Sequence, residues 1–569
     1  MSIDTPRPWL ASYAPGVPHD IELPTGSLFD LLETSVALYP EHIALEFFGS
    51  TTTYRELGDQ VSRAAEGLRA LGVKAGDTVA IVLPNAPQHI VAFYAVLRLG
   101  AIVIEHNPLY TPRELRHQFE DHGAKIVIAW NKVVDTIKAF PADVAVGTIV
   151  SVDVTRSMPP ITRLALRLPL AKSREARATL TTRVTGTVRW ASLLKSAPIA
   201  ADVARPASTD VAVIQYTSGT TGSPKGATLT HLNLSTNAAQ ARAWVPTIER
   251  GTAVVYAVLP MFHAYGLTLC LTFAISMGAR LVLFPKFDPK LVLKVLRKRP
   301  PTFLPAVPPI YERLMAAADA SGISLAGIQI AISGAMPLAQ SLVGPWEQRS
   351  GGYLVEGYGL SETSPVLMAN PVAPTRRAGT VGLPLPSTEA RVVDPENPTV
   401  DRASGDEGEL VVRGPQVFGG YWKKAEETEA VFVADPVGGA PWFRTGDIVT
   451  IDPEGFVRVV DRIKELIITG GFNVSPSEVE EALRVFPGVV DVAVVGLPST
   501  HSGEDVAAAV VMEPGVAFDE AAIRDFAREG LTAYKVPRRV VQVEELPKSL
   551  IGKTLRRVVR ERLIAGASD

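Results

Sequence analysis

Tyr216-Thr217-Ser218-Gly219-Thr220-Thr221-Gly222-Ser223-Pro224-Lys225-Gly226 is the stretch on which the reading of this chain turns. Five of its eleven residues are Ser or Thr and three are Gly, and they follow the apolar run Val211-Ala212-Val213-Ile214, which reads as a buried strand. Glycine permits the dihedrals that let backbone N–H groups converge on an anion. The hydroxyls and the Lys225 ammonium add donors for phosphate oxygens. The common P-loop order sets Lys-Ser/Thr directly after the second glycine and opens a helix. Here Ser223 and Pro224 intervene and Gly226 follows the lysine. A surface loop of turn formers is the bland alternative, but the density of this order favours phosphate binding.

Outward from the loop, helical and strand patterns alternate. Residues 54–71 read as an amphipathic helix, 78–83 as a buried strand, 88–99 as a helix and 101–104 as a second strand. The rhythm recurs through 253–259, 280–284 and 328–333, which predicts mainly parallel sheets covered by helices. From about 379 to 460 short strands are broken by Gly, Pro and Asp, the texture of a β-rich subdomain. After Asp461-Arg462 a compact α+β piece begins, with Ser475 as helix N-cap, Pro476 at N1 and Glu478 at N3. Strands follow at 489–496, 506–512 and 540–543. The expected fold is therefore α/β, with a large N-terminal domain (1–461) of mixed, mainly parallel sheets plus the β-rich subdomain, and a small α+β C-terminal domain (462–569).

Bulk properties narrow the function. A chain of 569 residues, 47% hydrophobic and 20% charged, exceeds one ordinary core and is globular. A net charge of −3 argues against a nucleic-acid binder. The one cysteine, Cys270, lies in an apolar run and reads as a packed core thiol in a reducing compartment. The first residues lack the basic-then-apolar order of a signal peptide, and polar residues interrupt 266–284, which favours a buried helix followed by a strand over a membrane span. Cytoplasmic residence is the expectation. Arg156, Arg163, Arg167, Lys172, Arg174, Arg177, Arg183 and Arg189 stand against the single acid Glu175, with Ile161, Leu164, Leu166, Leu168 and Leu170 interleaved. Segment 156–189 thus admits two readings: peripheral contact with the anionic inner face of the cell membrane, or a solvated insertion.

Three further motifs carry chemistry. Tyr358-Gly359-Leu360-Ser361-Glu362 follows an apolar-to-glycine transition, so Glu362 falls just past a strand end, where ligands collect in open α/β sheets. A carboxylate there suits Mg²⁺, although a helix-start acid is common. Thr445-Gly446-Asp447 reads as a turn closing after Trp442-Phe443-Arg444, with Asp447 able to accept from ribose hydroxyls. Lys553 follows Gly552 before a basic helical pattern and, taken alone, is a solvated cation; His263 in Pro260-Met261-Phe262-His263-Ala264-Tyr265 is, alone, a core histidine. No zinc or serine hydrolase motif appears.

The order of these blocks resembles the adenylate-forming superfamily of acyl-CoA synthetases, firefly luciferases and peptide-synthetase adenylation domains. The 216–226 loop, Tyr358 to Glu362, Thr445-Gly446-Asp447, Asp461-Arg462-Ile463-Lys464 and Gly552-Lys553 occur in family order from mid-chain to the C-terminus. Arg7-Pro8-Trp9-Leu10, Asn107-Pro108-Leu109-Tyr110-Thr111-Pro112-Arg113-Glu114 and Glu356-Gly357-Tyr358 are most similar to bacterial long-chain fatty-acid–CoA ligases.

The resemblance implies that ATP activates a fatty acid to acyl-AMP and that coenzyme A then takes the acyl group. It implies that Lys553 bridges carboxylate and phosphate, that Glu362, with Thr217, holds Mg²⁺, and that Thr217, Ser218, Gly219, Thr220, Thr221, Gly222 and Lys225 gather the β- and γ-phosphates. Asp447 and Arg462 would bind ribose, while Ser333-Gly334-Ala335 and Glu356-Gly357-Tyr358-Gly359, with Ser361, line the adenylate. Lys464 would be the hinge of a mobile C-terminal domain, Gly470-Gly471-Phe472 would approach the coenzyme A channel, and His263 would gate the acyl pocket. Ser361 replaces a commoner Thr and keeps the hydroxyl; Ile468 stands where luciferases carry a second lysine. A fatty acyl-AMP ligase, a medium-chain or aryl acid ligase, and a degenerate nucleotide-binding protein are the alternatives. Monomer and homodimer both stay open.

Overall fold

The computed structural model describes residues 7–144, 146–217, 224–435, 438–469, 472–499, 503–549 and 552–566, with Lys464 and Asn473 described by backbone alone. Two large sheets dominate the first part of the chain. A seven-stranded sheet runs Val188–Arg189, Thr148–Val152, Ile126–Trp130, Thr78–Val82, Ile102–Glu105, Val211–Thr217 and Lys225–Thr230; it is parallel up to the last pair, which forms an antiparallel hairpin. A nine-stranded sheet holds six parallel strands, Tyr353–Gly359, Ile330–Ser333, Phe303–Ala306, Val254–Ala257, Arg280–Leu283 and Ile43–Phe47. Antiparallel strands cap both of its edges.

Sequence accounts for this layout. Val79, Ala80, Ile81 and Val82 are all buried, the continuous apolar run expected of a parallel strand covered on both faces. Helix Tyr54–Ala70 starts at a capping box: Thr53 Oγ1 accepts from the Glu56 N–H at 3.2 Å, and Glu56 Oε2 accepts from the Thr53 N–H at 2.8 Å. Helix Pro87–Arg98 is buried along its whole length and packs on helices Leu28–Leu38 and Tyr54–Ala70. The apolar stretch at 266–284 is a buried helix in three parts followed by a strand. Ala264–Gly266 and Phe273–Ser276 flank the π-wound Leu267–Thr272, and Arg280–Leu283 comes next. Burial pushes the Cys270 thiol up to about 12, so it is a packed, protonated group. Among the described residues no helix is long and apolar enough to cross a membrane.

The β-rich part is a five-stranded antiparallel sheet built on Gly408–Arg413 and Trp442–Ile451, closed by Val457–Arg462. It corrects one expectation. Thr445-Gly446-Asp447 does not end a strand but lies inside Trp442–Ile451. Val411 pairs with Arg444 and Glu409 with Ile448, so residues 445–447 stand opposite Leu410 alone. Gly446 takes φ +73° there, and the Thr445 hydroxyl donates to Leu410 O at 2.8 Å. The motif is a bulge, which bends a strand and re-aims its side chains.

After one 3₁₀ turn, Ile463–Glu465, a last five-stranded sheet forms from Ile467–Thr469, Phe472–Val474, Val489–Ser499, Gly503–Met512 and Arg539–Gln542. Its alternation is strict. Val492, Val494, Val506, Ala508 and Val510 pack with Val479, Leu483, Ile523 and Ala527 of helices Pro476–Arg484 and Glu520–Gly530. Ala493, Val495, Ala507 and Ala509 pack on the other face with Val559 and Leu563 of helix Arg556–Ala565. Ser475 caps its helix as expected, accepting from the Glu478 N–H at 3.1 Å. Glu478 itself turns away to Lys535 at 2.6 Å.

Candidate active site

The site forms at the carboxyl ends of the adjacent parallel strands Ile330–Ser333 and Tyr353–Gly359, where Ser333 pairs with Glu356. Beyond them opens a cleft of about 680 Å³, counting space continuous with solvent. It is lined by Gly334, Ala335, Gly357, Tyr358, Gly359 and Ser361 together with the apolar Ala241, Trp244, Leu269, Phe303 and Leu385. Gly359 is required because a Cβ there would lie 1.7 Å from Pro365 O. Tyr265 braces the wall, its hydroxyl donating to Ile332 O at 2.7 Å, and its ring leaves no slack beside Gly334.

Asp447 is 1% exposed. The Tyr358 hydroxyl donates to its Oδ2 at 2.5 Å, and Arg462 Nε lies 2.8 Å from its Oδ1. Burial raises the Asp447 carboxyl, opposed chiefly by the Arg462 charge. The Oδ1 contact is an ion pair without an aligned hydrogen bond, and the Ser333 hydroxyl is also buried with no hydrogen-bond partner among the described residues. Buried polar atoms left in this state favour a ligand that supplies the missing partners. Glu356 is buried too, held by the N–H groups of Leu338 at 3.4 Å and Gly379 at 3.2 Å; desolvation still lifts it to about 7.

Thr217 and Lys225 form the last rung of the hairpin from which the Gly/Ser/Thr loop leaves, and the Thr217 hydroxyl donates to Lys225 O at 3.4 Å. Lys225 thus starts an antiparallel strand and not a helix. Ser218, Gly219, Thr220, Thr221 and Gly222 lie outside the described residues, as do Gly470 and Gly471. The 3₁₀ turn Ser361–Thr363 packs against both hairpin arms and carries Glu362, 8% exposed, just past the strand end as expected. Burial raises the Glu362 carboxyl, and hydrogen bonds from its own backbone and from the Tyr421 hydroxyl, 2.8 Å away, hold it down. Among the described residues no three His, Cys, Asp or Glu converge as a metal cage. One buried carboxylate, Glu362, is instead the kind of oxygen donor Mg²⁺ uses, since that ion keeps several waters and arrives with phosphate oxygens. The residues fit that ion.

Lys553 reaches the site from the C-terminal lobe. Its N–H donates to Ser549 Oγ at 3.1 Å, and the neighbouring Gly552, at φ +82°, abuts Met336 of the large lobe. Burial lowers the Lys553 ammonium, helped by the Arg462 charge and opposed by Glu465 and Asp447. Lys553, Asp447, Arg462, Tyr358 and Glu362 therefore share one electrostatic neighbourhood although they span almost 200 positions of chain. His263 lines the cleft and accepts weakly from the Tyr265 N–H at 3.4 Å; burial pulls it down to about 4, so it is a neutral wall. Phe472 does not join this group. It sits on an edge strand, 55% exposed and stacked on Tyr534 at 4.6 Å between ring centroids. The backbone of Lys464 lies in the turn Ile463–Glu465.

Two supports escape sequence reading. Tyr421 reaches Glu362 from 59 residues away. Arg556 ties the Lys553 segment to the start of its lobe, contacting Glu465, Glu480 at 2.8 Å and Ser477 at 3.1 Å. The only sequence signals are a Gly-Gly-Tyr-Trp run at 419–422 and an arginine three residues after Lys553.

Residues 32–422 match the family model described as AMP-binding enzyme, and residues 478–553 match that of the AMP-binding enzyme C-terminal domain. The chain is 37% identical to a long-chain-fatty-acid–CoA ligase of Bacillus subtilis, covering 98% of each sequence. It is also 37% identical to one from Escherichia coli O157:H7, covering 97% of this chain and 98% of that one. Among solved structures, ATP-bound MatB from Rhodopseudomonas palustris superposes with a TM-score of 0.81 at 31% identity, covering 95% of this chain and 99% of that one. With the large and small lobes each matched in place, the chain belongs to the AMP-binding enzyme family.

Proposed function

We propose that the protein is a long-chain fatty-acid–CoA ligase. The observation that carries the reading is the lysine of the small lobe, Lys553, within electrostatic reach of the Asp447–Arg462 ion pair, whose buried carboxylate accepts from Tyr358 in the wall of a largely apolar cleft. In the first step a carboxylate oxygen of the fatty acid attacks the α-phosphorus of ATP, and the bond to the β-phosphate oxygen breaks, releasing pyrophosphate. Two anions must meet, so fixed positive charge has to be in place before they do. Lys553 supplies it between carboxylate and α-phosphate. Thr217, Lys225 and the 218–222 loop grip the departing phosphates. Glu362, with Thr217, would hold Mg²⁺, which when bound neutralises charge on the phosphate oxygens. Asp447 Oδ1 accepts from a ribose hydroxyl, Arg462 aligns the pair, and Ser333 to Ala335 with Glu356 to Gly359 and Ser361 enclose the adenylate.

In the second step the thiol of coenzyme A attacks the acyl carbon, its proton passes to solvent, and AMP leaves. One site must favour two transition states in turn. Rotation at Lys464 would withdraw Lys553 and bring residues 470–472, with the exposed Phe472, toward the pantetheine arm. The neutral His263 then forms the mouth of the acyl pocket. Acid-dependent pyrophosphate release across chain lengths, with and without coenzyme A, tests the proposal. Long acids and a thioester product are expected; release with no thioester would instead favour an acyl-AMP ligase.

The reading extends to the membrane surface. Segment 156–189 contains two short helices, Pro160–Ala165 and Ala171–Leu180, with no buried residue in either. Ile161 is 83% and Leu164 66% exposed, beside Arg163, Arg167, Lys172 and Arg174. Apolar side chains flanked by cations suit the interface of an anionic bilayer, from which a long-chain acid partitions.

A further inference from the structure

Tyr421 stands between two parts of the site that approach from different sheets. Its backbone is fixed by the hairpin that carries the phosphate loop. Gly420 O accepts from the Thr228 N–H at 3.0 Å and the Thr228 hydroxyl at 2.6 Å, and the Trp422 N–H donates to Gly226 O at 2.7 Å. The Tyr421 N–H donates to Thr428 Oγ1 at 2.9 Å, while Phe418, packed edge-on against the ring, donates its N–H to Glu362 O at 2.8 Å. Held on both sides, the phenol has little freedom. Its hydroxyl donates to Glu362 Oε1 at 2.8 Å, and the Lys225 ammonium lies 5.1 Å from the centre of its ring.

We propose that Tyr421 is a positioning residue that couples the strand beginning at Lys225 to the Glu362 carboxylate, orienting the carboxylate for a divalent cation and Lys225 for the phosphates. Two physical arguments support it. A buried carboxylate rotates about its terminal bonds unless a hydrogen bond fixes it, and a donor at Oε1 leaves Oε2 for the cation. A lysine over an aromatic face is held by the ring quadrupole without losing donors, so its N–H groups remain available to phosphate. One side chain therefore sets both halves of the grip on a metal–triphosphate. This deepens the proposed function and rests on Glu362 being the cation's ligand.

The test separates the two arms in the full-length chain. Mn²⁺ binding is followed by electron paramagnetic resonance in the presence of a non-hydrolysable ATP analogue, together with steady-state pyrophosphate release. Tyr421→Phe, which keeps the ring, should weaken Mn²⁺ about tenfold and lower kcat, with the KM for fatty acid and the thermal midpoint unchanged. Tyr421→Leu should add a severalfold rise in the KM for ATP, because Lys225 loses its seat. Wild-type Mn²⁺ affinity in Tyr421→Phe, with Glu362→Gln impaired, would overturn the coupling while leaving Glu362 as ligand. Unimpaired Mn²⁺ binding in Glu362→Gln would overturn both. A uniform loss of every affinity together with a fallen thermal midpoint would reduce Tyr421 to a packing residue and also overturn it.

Discussion

Asp447 and Arg462 face each other as register partners on neighbouring antiparallel strands, and their side chains close to 2.8 Å from Nε to Oδ1. The bulge at 445–447 re-aims this part of the strand, and the buried Asp447 carboxylate accepts from Tyr358, which lines the cleft. Replacing Asp447 by Asn keeps the shape but strands the arginine and removes an acceptor. ATP affinity should fall by about one to two orders of magnitude, the loss typical of a charged hydrogen bond. Isothermal titration checks this, and unaltered affinity would remove Asp447 from the nucleotide site.

Lys553→Ala should cut acid-dependent pyrophosphate release by about 10²-fold or more, while ATP binding measured by the same titration stays close to wild type. Near-normal release would sink the assignment of the lysine.

Burial and the Arg462 charge set Lys553 below its ordinary 10.5. In the proposed first step the charged ammonium is the active form, so kcat/KM for adenylation should fall on the alkaline side before a free lysine would titrate. Arg462→Gln removes a repelling cation and should move that limb upward. A limb that stays put, or moves down, contradicts the electrostatic account.

Glu356 is raised by desolvation from 4.5 to about 7. The folded protein holds this proton more tightly than the unfolded chain, so stability falls as pH rises from about 4.5 to about 7 and stays low above it. The loss is on the order of 3 kcal/mol. Denaturant melts at pH 5 and pH 8 should show that slope in the wild type, and Glu356→Gln should flatten it. An equal slope in both proteins would assign the effect to other groups.

Sedimentation with anionic vesicles should be salt-sensitive. Arg163→Gln with Arg167→Gln should weaken it by about 2 kcal/mol, near 1 kcal/mol per basic residue at the surface. Ile161→Ser with Leu164→Ser should weaken it independently of salt. Binding that ignores all four residues would leave segment 156–189 a solvated insertion.

Periodicity and caps carried most of the fold. The runs at 78–82 and 330–333 are apolar because helices cover both faces, and Ser475-Pro476 marks its helix because a cap is local chemistry. What could not be read was non-local. Thr445-Gly446-Asp447 looks like a turn because glycine at positive φ serves turns and bulges alike, and only pairing with Leu410 and Arg462 decides between them. Glu362 was visible as an acid past a strand end, but Tyr421 was not, since nothing local in its segment names a partner 59 residues away.

The C-terminal sheet closes both of its apolar layers within residues 467–563. The proposed swing of that lobe off the cleft would uncover an interface but no core, so melting and swinging would be separate events with separate energies. Lys553 is carried like a tool on a stiff arm, anchored at the root by Arg556 to Glu465. In the proposed two-step cycle, surface contacts alone would then set how long the lysine dwells at the cleft, leaving the lobe's own stability untouched.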